Sequence, residues 1–150
     1  MEKPSYHIES SLDAEWHFFK SISQDKIIEK AVVFNQVDSE NGIYELIFGD
    51  LENGFVNVKN VSDNQDMSMV LSTVIKTIYL FFERNPQKTV TFMGSSTSRN
   101  RLYRAIISKL ISQVSNKIEV FGTNFEGFDE PFAKEKDYFA FKLKLKNGKY

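Results

Sequence analysis

A chain of 150 residues with 41% hydrophobic and 26% charged residues has the balance of a globular protein that can bury a core, and its length predicts one domain. Its 19 basic and 20 acidic residues leave a net charge of -1, which excludes a global field for nucleic acid or anionic membrane, so any attraction to phosphate is local. Cysteine is absent, which removes disulfides, thiolate catalysis and Cys-based metal sites. No window approaches the roughly 18 apolar residues of a membrane span, and the N-terminus has no apolar leader run, so a cytoplasmic protein with no membrane partner is expected.

Residues 1–13 are polar, contain Pro4 and read as a loose arm. Trp16 to Ile22 and Ile27 to Val37 follow as two strands rich in aromatic and β-branched residues. Asn41-Gly42 marks a hairpin turn, because both residue types tolerate positive φ, and Ile43 to Phe48 forms its second arm. Asn53-Gly54 offers another turn before Phe55-Val56-Asn57-Val58, completing a meander of three or four strands.

Ser62 and Gln65 have capping-box spacing, and Asp66 is an equally good cap. From Met67 to Phe82 apolar residues recur in three- and four-residue steps, which predicts a helix over about 66–84, stopped by Asn85-Pro86. Thr89 to Met93 reads as a short strand, Leu102 to Val114 carries a second amphipathic helix over about 98–115, and Ile118 to Phe121 is a strand parallel to the first. Thr123 to Lys136 reads as an irregular loop. Asp137 to Lys146 alternates Phe139, Phe141, Leu143 and Leu145 with Tyr138, Ala140 and three lysines, as a strand with a solvent face or edge does. The sum is an α+β protein with a single mixed, mainly antiparallel sheet and two helices on one face, ordered β-β-β-(β)-α-β-α-β-β.

The chemistry concentrates at the start of the second helix. Gly94, Ser95, Ser96, Thr97 and Ser98 join a buried strand to a helix start, where backbone N–H groups lack intrahelical partners and can cradle an anion. Arg99, Arg101 and Arg104 add positive charge where the helix dipole is already positive, each at about 0.3–1 kcal/mol when unscreened. No Asp or Glu lies between Glu83 and Glu119 to offset them. One reading is a bound phosphate, nucleotide or nucleic-acid backbone, held by guanidinium groups with Tyr103 adding stacking. The other is an ordinary cap, with the arginines paired to carboxylates such as Asp50, Asp63, Asp66 or Asp129. Asp50, at a strand end, is the first acid to consider as their partner. The turn matches neither a Walker A loop nor a Rossmann fingerprint, and its likeness to the pyrophosphate loop of acetyltransferases is one of topology alone.

Three segments in this order and spacing, Ile43-Tyr44-Glu45-Leu46-Ile47-Phe48-Gly49-Asp50, Met69 to Val74, and Phe92-Met93-Gly94-Ser95-Ser96 with Ser98 to Arg104, resemble a family of small bacterial proteins of unknown function. The resemblance spans the chain, and Arg99, Arg101, Tyr103 and Arg104 fall in its most distinctive motif. It implies a bacterial cytosolic protein of single-domain build and carries no activity.

Other chemistry is sparse. His7 and His17 are the two histidines, and His17, between Trp16 and Phe18, reads as a sheet-surface residue. With no Cys and no His-x-x-x-His pair, no metal site or cofactor is expected. The serines lack an elbow motif and a base, which points away from an enzyme. Glu126, Asp129 and Glu130, interleaved with Phe125, Phe128 and Phe132, form an acidic aromatic loop that suits either a solvated connection or a protein contact. The leading reading is a non-enzymatic domain that recognises a phosphate-containing ligand. A protein partner or homodimer, as in a toxin–antitoxin or phage-defence pair, is the second, and a transferase holding a cofactor phosphate the third.

Overall fold

The computed structural model describes residues 4–58, 64–93, 96–113 and 117–146. In chain order the elements are β1 (Glu9–Ser10), β2 (Trp16–Ile22), β3 (Ile27–Asp38), β4 (Ile43–Glu52), β5 (Phe55–Asn57), α1 (Met67–Arg84), β6 (Thr89–Met93), α2 (Thr97–Ile111), β7 (Ile118–Thr123), β8 (Asp129–Pro131) and β9 (Ala140–Leu145). The protein is α+β, and its described residues form two helices and a mixed, mainly antiparallel sheet of nine strands in the order β1-β2-β3-β4-β6-β9-β7-β8, β5 pairing off β4. The chain divides into two compact units, Met1–Asn35 with Ile47–Arg84 and Gln36–Leu46 with Asn85–Tyr150.

In the first unit β2 alternates strictly, with Phe19 buried and Trp16, Phe18, Lys20 and Ile22 exposed. The period of two puts one side of the strand against the core. Phe34 of β3 stacks on Phe81 of α1 with ring centroids 4.4 Å apart, and Phe19 stacks on Phe48 of β4. Burying each of these rings contributes about 1.5–3 kcal/mol, so the α1 stripe Val70, Val74, Ile75, Ile78, Phe81 and Phe82 is what fastens the helix to the strands. The predicted 66–84 helix starts one residue later, and Val70 N–H donates to the Asp66 carbonyl to open its first turn.

Two sequence expectations change in this unit. Part of the arm is a strand, since Glu9 and Ser10 pair with Phe18 and His17. Its Tyr6 is anchored too: the backbone N–H donates to Thr73 Oγ1 at 2.9 Å, the ring stacks on Phe19, and the hydroxyl reaches Asp66 and the Ile22 carbonyl. His17, expected on the sheet surface, is fully buried, because it stands on the core side of β2 with its ring edge against Phe34. Its Nδ1 bonds with Ser10 Oγ at 2.7 Å and Nε2 with the Ala14 carbonyl at 2.6 Å. Ser62 and Asp63, read as capping residues, lie outside the described residues.

The two predicted turns sit where Asn and Gly allow. Gly42 has φ 62° between β3 and β4, and Asn53 and Gly54 have φ 51° and 82° in a two-residue connection from β4 to β5.

In the second unit β4 and β6 run parallel, with Tyr44 opposite Val90. The strands at 89–93 and 118–123 share a direction but are not neighbours, because β9 inserts between them and is antiparallel to both. The last strand is therefore internal rather than an edge. It begins at Ala140, so Phe139, grouped by the alternation with Phe141, Leu143 and Leu145, is 54% exposed while Tyr138, grouped with the lysines, is buried. Gly122 of β7 makes room for that tyrosine: a Cβ there would stand 2.4 Å from the Tyr138 ring. The loop expected over 123–136 is interrupted by β8, which pairs with β7 from Phe121 to Thr123.

Candidate functional site at the start of helix α2

Helix α2 opens on Ser96, an extended residue whose side chain accepts from Arg99 N–H at 3.2 Å while its carbonyl accepts from Asn100 N–H. That cap satisfies one of the free donors of the first turn and leaves others at the helix mouth, with no acidic residue in the turn to neutralise them. Ser96, Thr97 and Ser98 are exposed. Gly94 and Ser95, the first residues of the predicted cradle, lie outside the described residues. The helix runs from Thr97 to Ile111, shorter than the 98–115 read from periodicity.

The three arginines do not act together. Arg99 is 5% exposed and turns inward: its Nη2 donates to Tyr103 Oη at 2.9 Å, and its guanidinium carbon stands 5.2 Å from that ring's centroid. Tyr103 is buried in turn, stacked on Phe92 at 5.2 Å, so it has no face left for a ligand. Both residues follow from helix geometry, because 99 and 103 are one turn apart and share the core side with Ile106, Ile107 and Leu110.

Arg104 is a clamp. Its Nη2 donates to the carbonyls of Lys134 and Lys136, each at 2.6 Å, and its guanidinium carbon lies 5.3 Å from the Phe132 ring centroid. It holds the segment that leads into Tyr138, whose hydroxyl accepts from Ala133 N–H at 2.8 Å.

Arg101 alone of the three is exposed, and among the described residues no carboxylate is within ion-pair distance of it. It lines a cleft of about 360 Å³ together with Ser96, Thr97, Asn100 and the side of Arg104. The far wall is Phe125, Asp137, Tyr138 and Phe139. Phe125 and Phe139 are 74% and 54% exposed, which leaves two aromatic surfaces open on the same cleft as a cation and a helix N-terminus. Asn100 Nδ2 donates to the Tyr138 carbonyl at 3.4 Å and ties the two walls.

The acidic aromatic loop is largely neutralised from within. Asp129 accepts from Lys142 at 2.9 Å and from Thr123, and Glu130 from Lys136 at 2.8 Å. Burial pushes against the Asp129 charge, but the Lys142 and Thr123 hydrogen bonds outweigh it and hold the carboxyl below its ordinary value. The Lys136 hydrogen bond does the same for Glu130. Asp50, the acid nominated as a partner for the arginines, is 3% exposed and accepts from Lys30 Nζ at 2.6 Å. Among the described residues no three His, Cys, Asp or Glu side chains cluster to hold a metal ion, and no described helix is long and apolar enough to cross a membrane.

Phe139, Asp137 and Asn100 were missed as site residues. Phe139 was hidden in the strand alternation, and the other two carry no motif. A family model described as a family of unknown function, DUF6934, matches residues 2–146, and the chain belongs to that family. Comparison with curated proteins and with solved structures gave no match.

Proposed function

We propose that this member of the DUF6934 family is a non-enzymatic domain that recognises a phosphate-bearing ligand, a nucleotide or single-stranded nucleic acid, in the cleft at the start of α2. The observation that carries the reading is the joining of Arg101, without a carboxylate partner among the described residues, and two exposed phenylalanines in one cleft. The first-turn N–H groups and the Arg101 guanidinium bind the phosphate, where dipole and charge add. Phe125 and Phe139 stack on a base, which every base permits because each has a π-face. Asp137 accepts from a sugar hydroxyl or a base amino group and disfavours bare polyanions. Arg99 and Tyr103 drop out as contacts and serve as the floor that fixes the helix; Arg104 fixes the opposite wall.

Titration of a short single-stranded oligonucleotide and of nucleoside monophosphates, at two salt concentrations, tests this. Arg101→Ala is expected to weaken binding about tenfold and to lower the salt slope by about one. Equal binding by the variant ends the proposal.

A protein partner is the second reading, favoured by Phe128, which is 67% exposed beside Phe125 on the same turn. Binding that survives Arg101→Ala and fails in Phe125→Ala with Phe128→Ala would move the function there.

A further inference from the structure

A second cavity, of about 400 Å³, lies in the first unit between the N-terminal arm and β2. Strand parity fixes which backbone groups face it. Phe34 N–H donates to the Glu15 carbonyl and Ser23 N–H to the Lys26 carbonyl, so in this register the odd-numbered residues of β2 are hydrogen-bonded to β3. The even-numbered residues turn their N–H and C=O the other way. The Trp16 carbonyl accepts from Ser11 N–H, Phe18 stands opposite Glu9, and Ile22 is met on both groups by the Tyr6 hydroxyl. Lys20 lies between these and points the same way.

The register that sets Glu9 against Phe18 brings His7 next to Lys20, but the arm leaves the sheet at that residue. Thr73 Oγ1 takes the N–H of Tyr6, and Phe19 takes its ring. Among the described residues no backbone hydrogen bond joins His7 to Lys20, and both line the cavity. The result is a gap of one residue in a β-ladder, open on a donor and an acceptor of the same backbone unit.

We propose that this gap binds an α-amino acid unit with an apolar side chain. Its carbonyl or carboxylate oxygen accepts from Lys20 N–H and its amino nitrogen donates to the Lys20 carbonyl, reproducing the pair that His7 does not make. Glu9 and Glu29 line the cavity and favour an ammonium group, and the Lys20 ammonium favours a carboxylate. Lys20 stands directly across from Glu29, and no ion pair between them is formed among the described residues. Phe18, Phe19, Ile22 and Leu51 supply the apolar wall. A free amino acid and a residue within a peptide share this chemistry.

Amide chemical-shift titration of the full chain with L-leucine and, separately, with N-acetyl-L-leucine N-methylamide at millimolar concentration tests the proposal. Saturable shifts at Lys20, His7 and Glu9 with either ligand are expected. Lys20→Pro removes the donor without costing a bond to β3 and should abolish them. Glu9→Gln with Glu29→Gln should weaken free leucine about tenfold and leave the capped form unchanged, because the capped ligand has no ammonium. Shifts with the capped form alone assign the site to peptides, and shifts with leucine alone to the free amino acid. No saturable shift with either ligand overturns the proposal, as does wild-type binding by Lys20→Pro. Should that variant fail to fold, equal leucine binding by the double glutamine variant is the overturning result.

Discussion

Arg99 and Tyr103, one helical turn apart, form a buried unit in which guanidinium donates to hydroxyl at 2.9 Å and the tyrosine ring rests on Phe92. The pair divides the arginine-rich motif into residues that build the helix and a residue that faces outward. Arg99→Ala is expected to cost about 2–4 kcal/mol in urea denaturation, since it removes a buried hydrogen bond to a charged group and leaves a void. Arg101→Ala should leave stability within about 0.5 kcal/mol or raise it slightly, as repulsion from the helix dipole is relieved. Equal losses for the two would mean that the motif is structural throughout.

Lys30 and Asp50 face each other at 2.6 Å with side chains 1% and 4% exposed. Removing one partner strands the other's charge in the core. Asp50→Ala should therefore destabilise by about 3–5 kcal/mol, and Lys30→Met combined with Asp50→Leu by less than the sum of the single changes. Additive losses in chemical denaturation would contradict this coupling.

Burial holds the pKa of His17 below its ordinary value of 6.5, against the raising effect of its bond to the Ala14 carbonyl. The folded state thus binds fewer protons here than the unfolded one. The contribution of this group is fully present above pH 6.5, and stability is lost as pH falls from there toward the lowered folded pKa. Stability followed by denaturation between pH 7.5 and 5, in roughly half-unit steps, should fall in the wild type, and His17→Gln should flatten that segment. An unchanged slope in the variant would assign the acid sensitivity elsewhere.

Gly122→Ala places a methyl 2.4 Å from the Tyr138 ring. Overpacking of this kind costs about 1–3 kcal/mol. Because the Tyr138 carbonyl accepts from Asn100 across the cleft, the variant should also weaken ligand binding without touching the ligand. A calorimetric melting temperature equal to the wild type would show that the ring has room to shift.

What sequence could supply was period and punctuation. The 3.6-residue stripe placed α1 to within a residue, and Asn41-Gly42 and Asn53-Gly54 placed two turns, because local sterics decide both. Strand order was not legible: nothing in Ile118 to Thr123 says that the chain will come back and place Ala140 to Leu145 beside it. The site was half legible. Ser96 to Arg104 announced itself by charge, but the inward turn of Arg99 depends on the Tyr103 and Phe92 rings, and the opposite wall comes from residues more than twenty positions away. His17 misled for the same reason, since its alternation with Trp16 and Phe18 names a side of the strand without saying which side is covered.

The internal position of β9 bears on how the protein is made. β6 and β7 both precede in sequence the strand that joins them, so until β9 docks β7 has β8 as its sole sheet neighbour among the described residues. Until Ala140 to Leu145 arrives, its inner edge offers unpaired N–H and C=O groups to any passing strand. Folding that halts before this docking step therefore leaves an intermediate whose open strand edge is prone to pair with another chain.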